Sequence, residues 1–108
     1  MNTATRTSKG ITIVDVTGNI DFGNSRTLRK TLLESLKDTH WLAINLIEVK
    51  YIDSSGLASL LEVLKEARGT QKRLALFGLT VAVREVLQLT RLNGIFEIHE
   101  TEEEVLNA

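Results

Sequence analysis

The stretch at residues 41–47 (WLAINLI) is almost continuously apolar, and this feature constrains the fold more than any other. A strand that is apolar at nearly every position must be covered on both faces, which is typical of a parallel sheet flanked by helices. The segment at residues 11–16 is rich in β-branched residues and predicts a second strand. Arg73–Phe77 predicts a third, which ends at Gly78.

Leucine stripes between these strands predict helices. In Ser25–Lys37 the leucines fall at positions 28, 32, 33 and 36, and Asn24 or Ser25 is the expected N-cap. Leucines at 57, 60, 61 and 64 predict a second helix that stops at Gly69. A third helix is expected from near Thr80 to before residue 93, followed by a short strand at 95–98. Residues 101–106 predict a last helical turn with a capping box.

The order strand, helix, strand, helix, strand predicts parallel strands joined by right-handed crossovers. Residues 3–8 can pair with residues 11–16 as a polar edge strand through a turn at Lys9-Gly10. We therefore expect a single α/β domain over residues 1–108, with a small mixed sheet, a mostly parallel core and helices packed around it. The loops after residues 16, 47 and 77 should share the carboxyl edge of this sheet, where open α/β sheets place their functional sites.

Composition argues against several classes of function. The net charge is −1 and 5% of residues are aromatic, which disfavours both a phosphate-binding basic surface and a base-stacking platform. The chain has no cysteine, so disulfides, thiolate zinc sites and cysteine nucleophiles are excluded. We see neither a secretory signal nor an apolar run near the ~20 residues of a membrane span, and we expect a cytoplasmic protein.

The loop after the central strand carries the most informative motif, Asp53-Ser54-Ser55-Gly56. These residue types are typical of a helix N-cap, because their side chains or flexible backbones satisfy the free amides of the first turn. The same position also suits phosphorylation. The positive end of a helix stabilises a nearby anion by ~0.3–1 kcal/mol, so a phosphoserine can be accommodated without unfolding the domain.

Three segments together resemble the STAS domains of bacterial anti-sigma factor antagonists. They are residues 18–21 (GNID) after the first strong strand, the apolar central strand, and residues 52–57 (IDSSGL) opening the next helix. In that family the serine directly after the aspartate is phosphorylated by an anti-sigma factor that is an ATP-dependent serine kinase, and a PP2C-type phosphatase removes the phosphate. The resemblance implies a regulatory binding protein without catalytic residues, cofactor or metal. It implies Ser54 as the phosphoacceptor and a partner-binding set of Asp21, Asp53, Ser54, Ser55 and Gly56.

The resemblance also implies how such a chain works. The unmodified protein docks its Ser54 edge on the anti-sigma factor, which then releases its sigma factor, and phosphate blocks this docking. Two positions depart from the commonest family pattern: Asn45 stands where aspartate is frequent, and Ala58-Ser59 stands where glycine and an apolar residue are common.

Other interpretations are less well supported by the residues. A serine hydrolase would need Ser54 or Ser55 to meet His40 or His99, yet His40 precedes the central strand at the opposite edge. Within the same fold, the alternative is a STAS domain that is a constitutive assembly subunit of a lipid-transport or stress-sensing complex.

The sequence also predicts the environments of an acidic run, of the two histidines and of an apolar segment near the carboxyl edge. We expect the acidic run at residues 102–104 to be a solvated helix end and the two histidines to be ordinary surface residues. Leu79, Val81 and Val83 are expected in the core, with an exposed docking patch as the alternative.

Overall fold

The computed structural model describes all of residues 1–108 and contains five strands and four helices. The strands are β1 (Asn2–Ser8), β2 (Ile11–Thr17), β3 (Trp41–Glu48), β4 (Arg73–Phe77) and β5 (Glu97–His99). The helices are α1 (Ser25–Lys37), α2 (Ser54–Gly69), α3 (Val81–Leu89) and α4 (Glu102–Leu106). No helix combines the length and hydrophobicity that a membrane span requires.

The strands form one sheet in the order β1-β2-β3-β4-β5. β1 is antiparallel to β2, and every later pair is parallel. The expected mixed sheet with a mostly parallel core is confirmed, including the polar edge strand. Because the parallel strands are joined through helices, the loops that follow β2, β3 and β4 all leave the same edge of the sheet.

Helices cover one face of β3 completely and the other only in part. Leu42, Ile44 and Leu46 are fully buried in a large core together with α1, α2 and α3. Ala43 faces the other way into a smaller core, which Val105 of α4 closes. On that second face Trp41 is half-buried and Ile47 is 51% exposed, so the predicted burial on both faces is present only at the middle of the strand.

The C-terminal strand begins later than the sequence indicated. The amides of Ile95 and Phe96 donate to the carbonyl of Leu92 (3.0 and 3.4 Å), so these residues form a tight turn that buries the Phe96 side chain. Pairing with β4 therefore starts at Glu97 rather than at residue 95. Since His99 lies in this strand, it is half-buried and hydrogen-bonds to Glu97 (2.7 Å), instead of being an ordinary surface residue.

The acidic run at 102–104 is also more than a solvated helix end. The Arg6 guanidinium hydrogen-bonds to the carboxylates of both Glu102 and Asp15, and so ties β1 to α4 and β2. Glu104 completes the predicted capping box with Thr101. These contacts anchor α4 over the smaller core.

Candidate functional site

Three loops meet at the carboxyl edge of the sheet, which we define as residues 18–24, 49–53 and 78–80. Ile20 and Ile52 form an isolated parallel bridge between the first two loops. The Ile20 amide donates to the Tyr51 carbonyl (2.9 Å), and the Asp53 amide donates to the Ile20 carbonyl (3.1 Å). The Thr80 hydroxyl donates to the Val49 carbonyl (2.8 Å) and so joins the third loop. The predicted meeting of these loops is therefore present.

The Asp53 carboxylate connects two of these loops. One oxygen accepts a hydrogen bond from the Gly56 amide (3.0 Å) and so caps α2. The other accepts from the Phe22 amide (3.0 Å) in the loop after β2. The N-cap interpretation of this residue is thus correct, and the second contact gives Asp53 a further role in holding the neighbouring loop.

Asp21 lies at the centre of the loop after β2. Its carboxylate accepts from the Gly23 amide (2.9 Å), and its carbonyl accepts from the amides of Asn24 (3.1 Å) and Ser25 (2.8 Å). The Asn24 side chain accepts from the Asp21 amide (3.0 Å) and donates to the Asn19 carbonyl (2.9 Å). Asn24 precedes α1 as expected, but its side chain makes no bond to the helix amides because it stabilises this loop instead.

The two serines of the motif differ in accessibility. Ser54 is the first residue of α2 and is exposed, whereas Ser55 is half-buried. Gly56 is buried, and a Cβ at this position would lie 2.6 Å from Cγ1 of Ile52. The structure therefore presents the Ser54 hydroxyl to solvent and places Gly56 where only hydrogen fits.

Exposed apolar side chains are concentrated at the carboxyl edge of the sheet. Six large apolar residues of the chain are exposed, and four of them lie at or next to the carboxyl edge: Phe22, Ile47, Tyr51 and Val81. A concentration of this kind is typical of a surface that binds another protein. Phe22 and Tyr51 were not among the predicted site residues, because an isolated apolar residue in a loop has no periodicity that would predict its exposure.

The predicted environment of the 79–83 segment is correct in part. Val83 is buried in the core and Leu79 packs against it, but Val81 is 74% exposed. The core interpretation is therefore correct for Leu79 and Val83, and the exposed-patch interpretation is correct for Val81. Val81 is the first residue of α3, and only one face of this helix packs in the core.

A groove between α1 and α2 opens beside this edge. This groove has a volume of about 530 Å³ and is lined by Phe22, Arg26 and Ser55 among others. A second, larger cavity of about 700 Å³ lies along α1 toward Lys37 and Lys72, and none of the motif residues lines it. The larger cavity is therefore separate from the Ser54 hydroxyl.

Neither histidine meets the motif serines. The His40 carbonyl accepts from the amide of Arg73 at the start of β4, which places His40 at the opposite edge of the sheet. The His99 ring is bonded to Glu97 on β5, two strands away from β3. No group of three or more His, Asp or Glu side chains is arranged to hold a metal ion.

The departure at Asn45 has a structural explanation. Its amide nitrogen donates to the Asp15 carboxylate (2.8 Å), and its oxygen accepts from the Ile47 amide (3.0 Å). An aspartate here would place a second negative charge against Asp15. The hydrogen bonds from Arg6, and to a smaller extent the one from Asn45, lower the pKa of Asp15 despite its partial burial.

Comparisons with known proteins agree with these observations. The sequence profile of the STAS domain family matches residues 2–105. An anti-sigma-B factor antagonist of Listeria monocytogenes is 34% identical over 91 residues, which is 83% of this chain and 80% of the relative.

Solved structures show the same fold. An anti-sigma factor antagonist from Mycobacterium paratuberculosis superimposes with a TM-score of 0.89 at 24% identity and covers 98% of this chain and 91% of that one. The Bacillus cell fate determinant SpoIIAA, solved in its phosphorylated form, gives a TM-score of 0.73 at 18% identity and covers 98% and 97%. The names of these proteins are those of regulators and not of enzymes, in agreement with the expectation that this chain is not an enzyme.

Proposed function

The chain belongs to the STAS domain family, and from that premise we propose that it is an anti-sigma factor antagonist in a partner-switching pathway. Its unphosphorylated form binds an anti-sigma factor with serine kinase activity, and the sigma factor is released. Phosphorylation of Ser54 by that kinase blocks the binding, and a PP2C-type serine phosphatase restores it. All of these steps take place in the bacterial cytoplasm and control transcription.

The observation that carries this proposal is the position of the Ser54 hydroxyl. It is exposed on the first residue of α2, inside an edge where exposed apolar side chains are concentrated. A kinase must reach the acceptor oxygen, and Ser54 is more accessible than the half-buried Ser55. The name of the Listeria relative supports the same class of function.

The surroundings of Ser54 explain how a phosphate would act as a block. A phosphoserine carries about −1.5 to −2 charges. Asp53 is the adjacent residue. Its carboxylate accepts a hydrogen bond from the Phe22 amide, in the loop that also contains Asp21. At a desolvated interface such a concentration of negative charge costs several kcal/mol. A loss of about 3 kcal/mol corresponds to more than a hundredfold in Kd.

No rearrangement of the fold is needed for this switch. Asp53 already caps α2 through the Gly56 amide, and the Ser54 side chain points from the first turn of the helix into solvent. The phosphate can therefore be added and removed on a rigid surface. The proposal predicts nearly identical backbones for the free and the phosphorylated protein.

The test is phosphorylation in vitro with residue-level mapping. The wild-type chain, Ser54→Ala and Ser55→Ala are incubated with ATP and a soluble extract of the source cells, and phosphopeptides are located by mass spectrometry. We expect one phosphate on Ser54 in the wild type and in Ser55→Ala, and none in Ser54→Ala.

Two other results would overturn parts of the proposal. If Ser55 were still labelled in Ser54→Ala, the assignment of Ser54 as the phosphoacceptor would be wrong. No phosphate, in an extract whose kinases are demonstrably active, would favour a constitutive assembly subunit of a larger complex.

A further inference from the structure

Phe22 is the most exposed aromatic side chain of the molecule, at 80% of its maximum accessibility. An aromatic ring left in water forgoes a large favourable burial free energy, which is recovered when a partner covers it. Phe22 is also close to the Ser54 hydroxyl, because its amide bonds the carboxylate of the residue immediately before Ser54.

The backbone on which Phe22 stands is held rigidly. Its own amide donates to Asp53 (3.0 Å), the next amide, of Gly23, donates to Asp21 (2.9 Å), and the amide of Ser25 donates to the Asp21 carbonyl (2.8 Å). A side chain presented on a preorganised loop loses less conformational entropy on binding than one on a mobile loop. An exposed aromatic ring on a rigid backbone is typical of a residue that dominates the energy of an interface.

The Asp53 carboxylate makes this presentation dependent on the start of α2. One oxygen bonds the amide of Gly56 and the other bonds the amide of Phe22, so the helix that begins at Ser54 and the loop that carries the ring share one side chain. Any change that turns this carboxylate away from Phe22 removes the hydrogen bond that ties the Phe22 backbone to the start of α2. Asp53 is thus a positioning residue for Phe22 in addition to a helix cap.

We propose that Phe22, positioned by Asp53, is the principal apolar anchor of the interface with the anti-sigma factor, an inference that rests on the function proposed above. The Phe22 amide donates to Asp53, and Phe22 lines the groove together with Arg26 and Ser55. The matching surface of the partner is therefore an apolar socket that covers the ring and excludes water from it.

The test compares Phe22→Ala with a matched control, Leu89→Ala. Both residues are large, apolar and almost equally exposed, at 80% and 84%, but Leu89 lies at the far end of α3 from the carboxyl edge. The Kd for the purified anti-sigma factor kinase of the same organism is measured by calorimetry. We expect Phe22→Ala to raise the Kd at least about tenfold, whereas Leu89→Ala leaves it within about twofold. Both variants should keep the wild-type Tm, because neither the Phe22 ring nor the Leu89 side chain packs in the core.

A double-mutant cycle tests the role of Asp53. In Asp53→Asn an amide NH2 group replaces one of the two carboxylate oxygens, so one of the bonded amides loses its acceptor. We expect Asp53→Asn to weaken binding in the wild-type background and to weaken it much less in the Phe22→Ala background, because the anchor it positions is absent. A purely helix-capping role would give the same loss in both backgrounds.

The outcomes separate the two proposals. Binding by the wild-type chain with an unchanged Kd for Phe22→Ala would overturn the anchor and leave the proposed function intact. Equal losses in Phe22→Ala and Leu89→Ala would also overturn it. If the wild-type chain failed to bind the anti-sigma factor, the proposed function and the anchor would both be wrong.

Discussion

Replacing Gly56 by alanine should destabilise the protein, although the same change in a helix normally stabilises it. Alanine is favoured over glycine in a helix by about 1 kcal/mol. At position 56, however, the new Cβ would lie 2.6 Å from Cγ1 of Ile52 and 2.7 Å from Cγ2 of Ile20. Both isoleucines are at most 2% exposed and are joined by the bridge between the two loops.

The magnitude follows from how little these neighbours can move. Isoleucine is stiff at χ1, and overpacking a closed core costs typically ~1–3 kcal/mol. After the gain in helix propensity is subtracted, we expect a net loss of about 0–2 kcal/mol for Gly56→Ala, toward the upper end because both new contacts lie under 3 Å. In a domain of this size each kcal/mol lowers the Tm by roughly 4 °C or more.

Gly69→Ala is the matched control in the same helix. A Cβ at Gly69 would have no neighbour within 4 Å, so this variant should gain a few tenths to ~1 kcal/mol. Thermal and urea unfolding of both variants gives the two free energies of unfolding. The prediction is a lower Tm for Gly56→Ala and an equal or higher Tm for Gly69→Ala. A Tm for Gly56→Ala at or above that of the wild type would refute the packing argument.

Two further predictions concern charge. Arg6 lowers the pKa of both Asp15 and Glu102, chiefly through hydrogen bonds, so its stabilisation is present above their ordinary values near 4 and is lost as the pH falls through the lowered pKa values. Arg6→Met should therefore be less stable than the wild type at pH 7 in urea titrations. The difference should shrink as the pH falls through the lowered pKa values of the two carboxyl groups. A difference in the free energy of unfolding that stayed constant with pH would contradict this. Ser54→Asp should weaken binding to the anti-sigma factor by less than the phosphate does, because one carboxylate carries less charge; binding as tight as that of the wild type would argue against electrostatic exclusion.

The sheet and the N-cap of α2 could be predicted from the sequence because both follow local rules. The continuous apolar run of β3 is typical of a buried strand, and the leucine stripes of α1 and α2 follow the period of a helix. Asp53 lies directly before the stripe of α2, which is enough to predict an N-cap. These features need no knowledge of distant residues.

The features that could not be predicted from the sequence depend on contacts between distant segments of the chain. Arg6 and Glu102 are 96 residues apart, and their pairing requires the strand register and the position of α4. Phe22 could equally have been a core aromatic, since a single apolar residue in a loop has no periodicity. Its exposure depends on the fold of the loop after β2, where the Phe22 amide donates to the carboxylate of Asp53, 31 residues away in the chain.

The most direct test of the proposed switch is the affinity of the anti-sigma factor for two forms of the same protein. The chain is prepared unmodified and with stoichiometric phosphate on Ser54, and the Kd of each form is measured under identical salt and nucleotide conditions. We predict tight binding of the unmodified form and a Kd raised more than about a hundredfold by the phosphate, which corresponds to about 3 kcal/mol. Equal affinity of the two forms would contradict the proposed switch.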